Sequence, residues 1–166
     1  MSHFHKDSCT CHNGSVASQS LEELDFERGI WSAAQYGELE RVKHLVETGK
    51  CSIDQRDSAG YTALHYASRN GQLSVCKYLV LNGAELNATT KSGRATALHR
   101  AASAGHKEVI DYLLSINANV ELQDSDGKTV LHRAAEQGRK DVCEILLRKF
   151  PQLKDIRDNK GLVADF

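Results

Sequence analysis

Three histidines are the residues in this chain best suited by type to proton transfer: His65, His99 and His132. His65 and His99 lie 34 positions apart, and His99 and His132 lie 33 apart. A catalytic residue has no reason to recur with a fixed period, whereas a residue that holds a repeated unit together must. The spacing therefore gives all three a structural role. The same test applies to the thiols. Cys76 and Cys143 follow Val75 and Val142 at matching places and are read as small buried residues, not nucleophiles. Glu108, Asp111, Asp141 and Glu144 fall at the spacing of a solvated helix face. The glycines are isolated by period and not clustered, so none forms a phosphate-cradling loop. His44 and His106 fall outside the repeating slot and are expected to be exposed polar surface. No catalytic residue and no bound cofactor is expected.

A second cluster stands at the start of the chain: His3, His5, Cys9, Cys11 and His12. Thiolate and imidazole are the ligands zinc prefers. Cys9-x-Cys11 is tighter than the common Cys-x2-4-Cys spacing, and no second Cys/His pair follows at a finger-like distance. Two readings stay open for Cys9, Cys11 and His12. Residues 1–20 are polar and lack periodicity, which favours a disordered, solvated tail. The alternative is a zinc or copper site that links or regulates the rest of the molecule, with ligands shared between two chains in one version.

The elements that position these residues follow from self-similarity along the chain. Gly60-Tyr61-Thr62-Ala63-Leu64-His65-Tyr66-Ala67 is echoed by Thr96-Ala97-Leu98-His99-Arg100-Ala101-Ala102 and by Thr129-Val130-Leu131-His132-Arg133-Ala134-Ala135. Gly37, Gly71, Gly105 and Gly138 keep the same step. Each unit begins with a turn tetrad, such as Asp57-Ser58-Ala59-Gly60 or Asp124-Ser125-Asp126-Gly127. Thr62, Thr96 or Thr129 then caps a short helix, and the periodic glycine ends it. A second helix follows, with apolar residues such as Val109, Tyr112, Leu113 and Leu114 at i, i+3, i+4 spacing. One such unit cannot bury its own apolar face and requires neighbours. The alanines of the first helices let successive units approach closely.

Composition bounds the rest. The 166 residues carry a formal net charge of -1, with 26% charged and 40% apolar residues, so no global field draws the chain to nucleic acid or an anionic membrane. No apolar run is long enough for a membrane span or a secretory leader, and the scattered thiols fit a reducing compartment.

The repeated phrase, in residues, order and period together, resembles the ankyrin repeat, whose signature is a turn, Thr-Pro-Leu-His-x-Ala, and two antiparallel helices. Ala63, Ala97 and Val130 stand where the family has Pro, and one extra residue near Arg94-Ala95 is expected to bulge the third finger. The resemblance implies an all-α ankyrin-repeat solenoid of about four helix-turn-helix repeats with β-turn fingers. Its divisions are an N-terminal tail at 1–20 and a repeat domain at 21–166. The repeats fall at 25–56, 57–89, 90–123 and 124–157, with a partial fifth, 158–166, as C-terminal cap. That last piece is either a minimal cap or the start of a shortened form. In the first repeat Gly29-Ile30-Trp31 replaces the Thr-x-Leu-His phrase, as a terminal repeat would.

The resemblance also implies the function: a non-catalytic adaptor, scaffold or inhibitor that binds a protein partner on the concave face of its fingers and first helices. Carried onto this chain, that face includes Tyr36, Tyr61, Tyr66, Arg69, Arg94, Arg100, Lys128, Arg133 and Glu136. Aromatic residues gather toward its N-terminal side and arginines further on, and these types dominate interface energetics. The partner expected is one with an apolar anchor and acidic flanks. Trp31 is expected to pack inside. Asn87, in Gly83-Ala84-Glu85-Leu86-Asn87-Ala88, matches the hairpin Asn that family members present to an asparaginyl hydroxylase. A monomer inside the cell, in cytoplasm, nucleus or both, with neither nucleic acid nor membrane as partner, completes the expectation.

Overall fold

The structure, a computed structural model, describes residues 29–166. Among the described residues the chain is a stack of helix pairs with no strand. The pairs are α1 (Ile30–Gln35) with α2 (Leu39–Glu47), α3 (Ala63–Arg69) with α4 (Leu73–Leu81), α5 (Ala97–Ala104) with α6 (Lys107–Ser115), and α7 (Val130–Glu136) with α8 (Lys140–Lys149). A short 3-10 turn, Pro151–Asp155, follows. No described helix is long and apolar enough to cross a membrane. The all-α repeat architecture read from the sequence is the one observed.

Each first helix after α1 starts in the same way. Thr62, Thr96 and Thr129 sit in extended backbone, and each forms a reciprocal capping box with the His three residues on. The Thr backbone N–H donates to the His Nδ1, at 3.1 Å for His65 and 3.3 Å for the other two. The other ring nitrogen, Nε2, then faces a carbonyl of the following finger arm: Ala95 O at 3.0 Å, Lys128 O at 3.1 Å and Leu162 O at 3.1 Å. This network assigns one tautomer, with Nδ1 accepting and Nε2–H donating. One buried side chain thus starts its own helix and fastens the next unit. That is why the residue recurs with the fold.

A second ladder runs along the other end of the first helices. The residue after each periodic glycine reaches back to the preceding unit's first helix. Gln72 Nε2 donates to Gln35 O at 3.1 Å, His106 Nε2 meets Arg69 O at 3.0 Å, and Arg139 Nε donates to Ser103 O at 3.2 Å. His106 is therefore half-buried in an inter-unit contact, a correction to the exposed-surface expectation, because the stack brings its ring under the preceding helix. Gly71 has φ +72°, and a Cβ there would stand 2.6 Å from His106 Nδ1. The glycine is thus required twice, by the left-handed turn and by the neighbour's approach.

The core lies between these layers. Ala33, Ala67, Ala101 and Ala134 are buried where α1, α3, α5 and α7 pack in sequence. Small residues at these positions let neighbouring helices come together without voids. Second helices contribute Val42 and Leu45, Val75 and Leu79, Val109 and Leu113, and Val142 and Leu146, all buried. Trp31 is buried as expected, and its indole donates to Gln55 O at 2.9 Å.

Candidate functional site: the finger and first-helix face

The fingers are small hairpins, each spanned by a backbone hydrogen bond: Asp57 N to Tyr61 O, Thr90 N to Ala95 O, Asp124 N to Lys128 O and Asp158 N to Leu162 O. The Thr90–Ala95 finger, that of the third unit, encloses one residue more than the others. Arg94 absorbs it with φ 48°, a left-handed conformation unusual for a non-glycine residue, so the expected bulge is present. Successive fingers are tied tip to tip by Lys91 N to Ala59 O, Ser125 N to Gly93 O and Asn159 N to Asp126 O. They therefore form a continuous surface beside the first helices.

The base of each finger carries an oxygen that organises it. Asp57 Oδ1 accepts from Tyr61 N at 2.8 Å, and its Oδ2 accepts from the Tyr66 hydroxyl at 2.7 Å. Asp124 repeats the pattern: Oδ1 accepts from Asp126 N and Lys128 N, and Oδ2 accepts from Arg133 Nε at 2.6 Å. In the third finger the equivalent residue is Thr90, whose Oγ1 accepts from Ala95 N at 3.2 Å. Thr90 supplies the turn oxygen but no second acceptor for the first helix.

The sequence-derived contact residues separate into two groups. Tyr61 and Tyr66 are half-buried with ring centroids 5.5 Å apart, and the Arg100 guanidinium lies over the Tyr61 ring at 4.9 Å and donates to its hydroxyl. Arg69 and Arg94 are exposed and have no carboxylate in ion-pair range among the described residues. Tyr36, at the end of α1, is 67% exposed. The second group is internally paired. Lys128 contacts Glu136, and Arg133 binds Asp124, Asp126 and Glu136. The Asp124 side chain is fully buried beneath Arg133. Asn87 lies apart from this strip, in the loop between α4 and α5; it is exposed, and its Oδ1 accepts from Asn119 N at 3.0 Å.

Between the first helices opens a cleft of about 390 Å³, lined by Arg69, Gly93, Arg100, Ser103, Arg133 and Gln137 among others. Its walls are more polar than apolar, and it opens to solvent.

Burial governs the electrostatics of His65, His99, Cys76 and Cys143. Burial pushes the His65 imidazolium down to about 4, with the nearby Arg100 and Arg56 charges adding to it and the Ala95 carbonyl opposing. Burial likewise lowers His99. The Cys76 thiol is pushed up to about 11 by burial and Cys143 is raised for the same reason, the opposite of an activated nucleophile. Burial, together with the Asp57 carboxylate, raises Tyr66. Cys9, Cys11 and His12 lie outside the described residues. Within the described residues no three His, Cys, Asp or Glu side chains converge as a metal site.

Two features escaped the sequence reading. Gln72, His106 and Arg139 share a role but not a residue type, and their only signal was the position after a periodic glycine. The neutralisation of Arg133 by Asp124, nine positions away, follows from the finger folding back on its helix. The pairing could have been read from the repeat frame, where Asp57 and Tyr66 stand the same distance apart.

Comparison with known proteins agrees with this geometry. A family model described as "Ankyrin repeats (3 copies)" matches residues 11–90 and 82–158. Ankyrin repeat domain-containing protein 39 of Homo sapiens is 61% identical over 64 residues, which is 37% of this chain and 34% of that protein. The protein of the same name from Bos taurus is 57% identical over 67 residues, 39% of this chain and 36% of its own length. Both matches span about a third of the relative.

Proposed function

The chain belongs to the ankyrin-repeat family, and from that premise we propose that it is a non-catalytic module that binds a protein partner on its finger and first-helix face. The observation that carries this reading is the strip formed by Tyr36, Tyr61, Tyr66, Arg69, Arg94 and Arg100. It sets exposed or half-exposed aromatics beside cations that no carboxylate among the described residues pairs with. Such residues bring large contact area and directed hydrogen bonding at low cost in side-chain entropy. Family arrays serve many unrelated processes, so the partner follows from the surface and not from the fold. The surface favours an apolar anchor seated near Tyr36 and acidic flanks toward Arg69, Arg94 and Arg100. In this reading the protein acts as a monomer inside the cell, where Cys51, Cys76 and Cys143 stay as free thiols.

Arg133 is a poor probe of this surface. Reversing its charge would set a carboxylate beside buried Asp124 and disrupt the finger. Tyr36→Ala with Arg69→Glu and Arg94→Glu changes exposed groups only. Partner capture by this triple variant, checked for unchanged thermal unfolding, should fall at least tenfold. Equal capture, with cross-links mapping to α2, α4, α6 and α8 instead, would reject the face.

A further inference from the structure

Arg100 occupies the place in its unit that Tyr66 and Arg133 occupy in theirs. Both of those side chains end on a carboxylate at the base of their own finger, Asp57 or Asp124. In the third unit that carboxylate is missing, because Thr90 stands in its place and spends its hydroxyl oxygen on Ala95 N. An arginine stands in the slot all the same. Its NH2 group turns away to the hydroxyl of Tyr61 in the preceding unit, and the guanidinium rests on that ring. Arg100 Nε is buried and has no hydrogen-bond partner, the only such side-chain nitrogen or oxygen among the described residues. The corresponding atom of Arg133 holds Asp124 Oδ2 at 2.6 Å.

The missing acid leaves its mark on the surroundings. Arg100 faces the 390 Å³ cleft, and Arg69 stands exposed on the same wall with no carboxylate in ion-pair range among the described residues. The bulged finger puts Gly93 at the cleft, where an added Cβ would come no closer than 3.5 Å to Thr90 Oγ1 and 3.9 Å to Arg100, so the finger leaves space beside the guanidinium. A buried guanidinium donor without an acceptor is costly, and a planar carboxylate that approaches through the cleft matches its fork.

We infer that the cleft at Arg100 and Arg69 is a carboxylate-binding site, which takes an Asp or Glu side chain of the partner in place of the acid that the third finger lacks. The inference rests on the protein-binding reading above and specifies what that surface recognises. A carboxylate is favoured over a phosphate because the equivalent slots of the second and fourth units each already hold one. Binding draws the guanidinium partly off the Tyr61 ring, so Tyr61 reports on occupancy.

The site can be closed from within. Thr90→Asp restores the carboxylate of the repeat frame and keeps the turn acceptor, since Asp57 and Asp124 accept the equivalent backbone N–H groups themselves. The full chain would be titrated with an amidated octaglutamate peptide, an octaglutamine peptide and inorganic phosphate, following arginine Nε–H resonances by NMR. Octaglutamate should shift Arg100 and Arg69 in the wild type, and its affinity should drop at least tenfold in Thr90→Asp and in Arg100→Gln. Thr90→Asp should melt no lower than the wild type, which separates occupancy from misfolding. Equal binding by wild type and Thr90→Asp would overturn the inference, as would equal shifts from octaglutamine. Response to phosphate alone would overturn the carboxylate assignment. A protein partner still held by folded Thr90→Asp would leave the binding-module reading standing while sinking this one.

Discussion

At the scale of single residues, the repeated histidine does three jobs with two ring nitrogens. Nδ1 completes the cap, Nε2 fastens the next finger, and the ring fills a buried slot. Losing the ring removes a cap, worth about 1 kcal/mol, and strands a buried backbone N–H and carbonyl, at about 1–3 kcal/mol. His99→Ala should therefore destabilise the protein by about 2–4 kcal/mol in urea unfolding, and a loss under about 0.5 kcal/mol would contradict the double role. The same burial makes a pH prediction. His65 is lowered from 6.5 to about 4 in the folded protein, so the unfolded chain binds its proton first. Its contribution is complete above the unfolded value and is lost as pH falls from 6.5 through about 4. At about 1.4 kcal/mol per pKa unit, roughly 3 kcal/mol is at stake. The urea midpoint should decline across that window. A midpoint that stayed flat, or rose, would mean the ring is charged in the folded state.

At the scale of the element, α3, α5 and α7 each start at a Thr/His cap and end at a glycine, and a neighbour's side chain lies against that glycine in α3 and α5. Two glycines separate the causes. Gly71 has φ +72° and His106 pressed against it, whereas Gly138 has φ +64° and no neighbouring atom within 4 Å. Gly138→Ala should cost only the left-handed strain, about 1–2 kcal/mol. Gly71→Ala should cost more, because the ring must also move and give up Arg69 O. Equal losses in thermal unfolding would show that the His106 contact adds nothing. The finger is likewise an element with its own logic, since Asp57 and Asp124 organise those of the second and fourth units while a threonine with an extra residue serves the third.

At the scale of the molecule, the main helix contacts among the described residues are within a unit or between neighbouring units, so stability is approximately a chain of nearest-neighbour terms. The C-terminal segment is part of that chain. Leu162 O receives His132, and Asn159 N donates to Asp126 O. Deleting 158–166 should strand both partners, lower stability by about 1–3 kcal/mol and speed amide exchange in α7 more than in α3. Uniform acceleration across all units would instead indicate one cooperative block. The proposed binding face is also a property of the whole stack: no unit alone holds Tyr61, Arg100 and Arg69 together.

The sequence by itself determined the helix pairs, their order, the capped starts and the structural histidines, because these are set by local chemistry repeated at a fixed step. Thr62 and His65 are three residues apart, and a period of 34 or 33 positions reports the unit that encloses them. It also placed the residues of the proposed contact face on fingers and first helices, since these are fixed in every unit. Only the tertiary structure decided which charges on that face are free. Arg100 and Arg133 occupy one slot and read alike in sequence, yet Arg133 is spent on Asp124 while Arg100 reaches back to Tyr61, 39 positions earlier. That distinction depends on what lies across the turn and in the next unit. Coulomb and hydrogen-bond energies follow distance in space, which the order of residues along the chain does not supply.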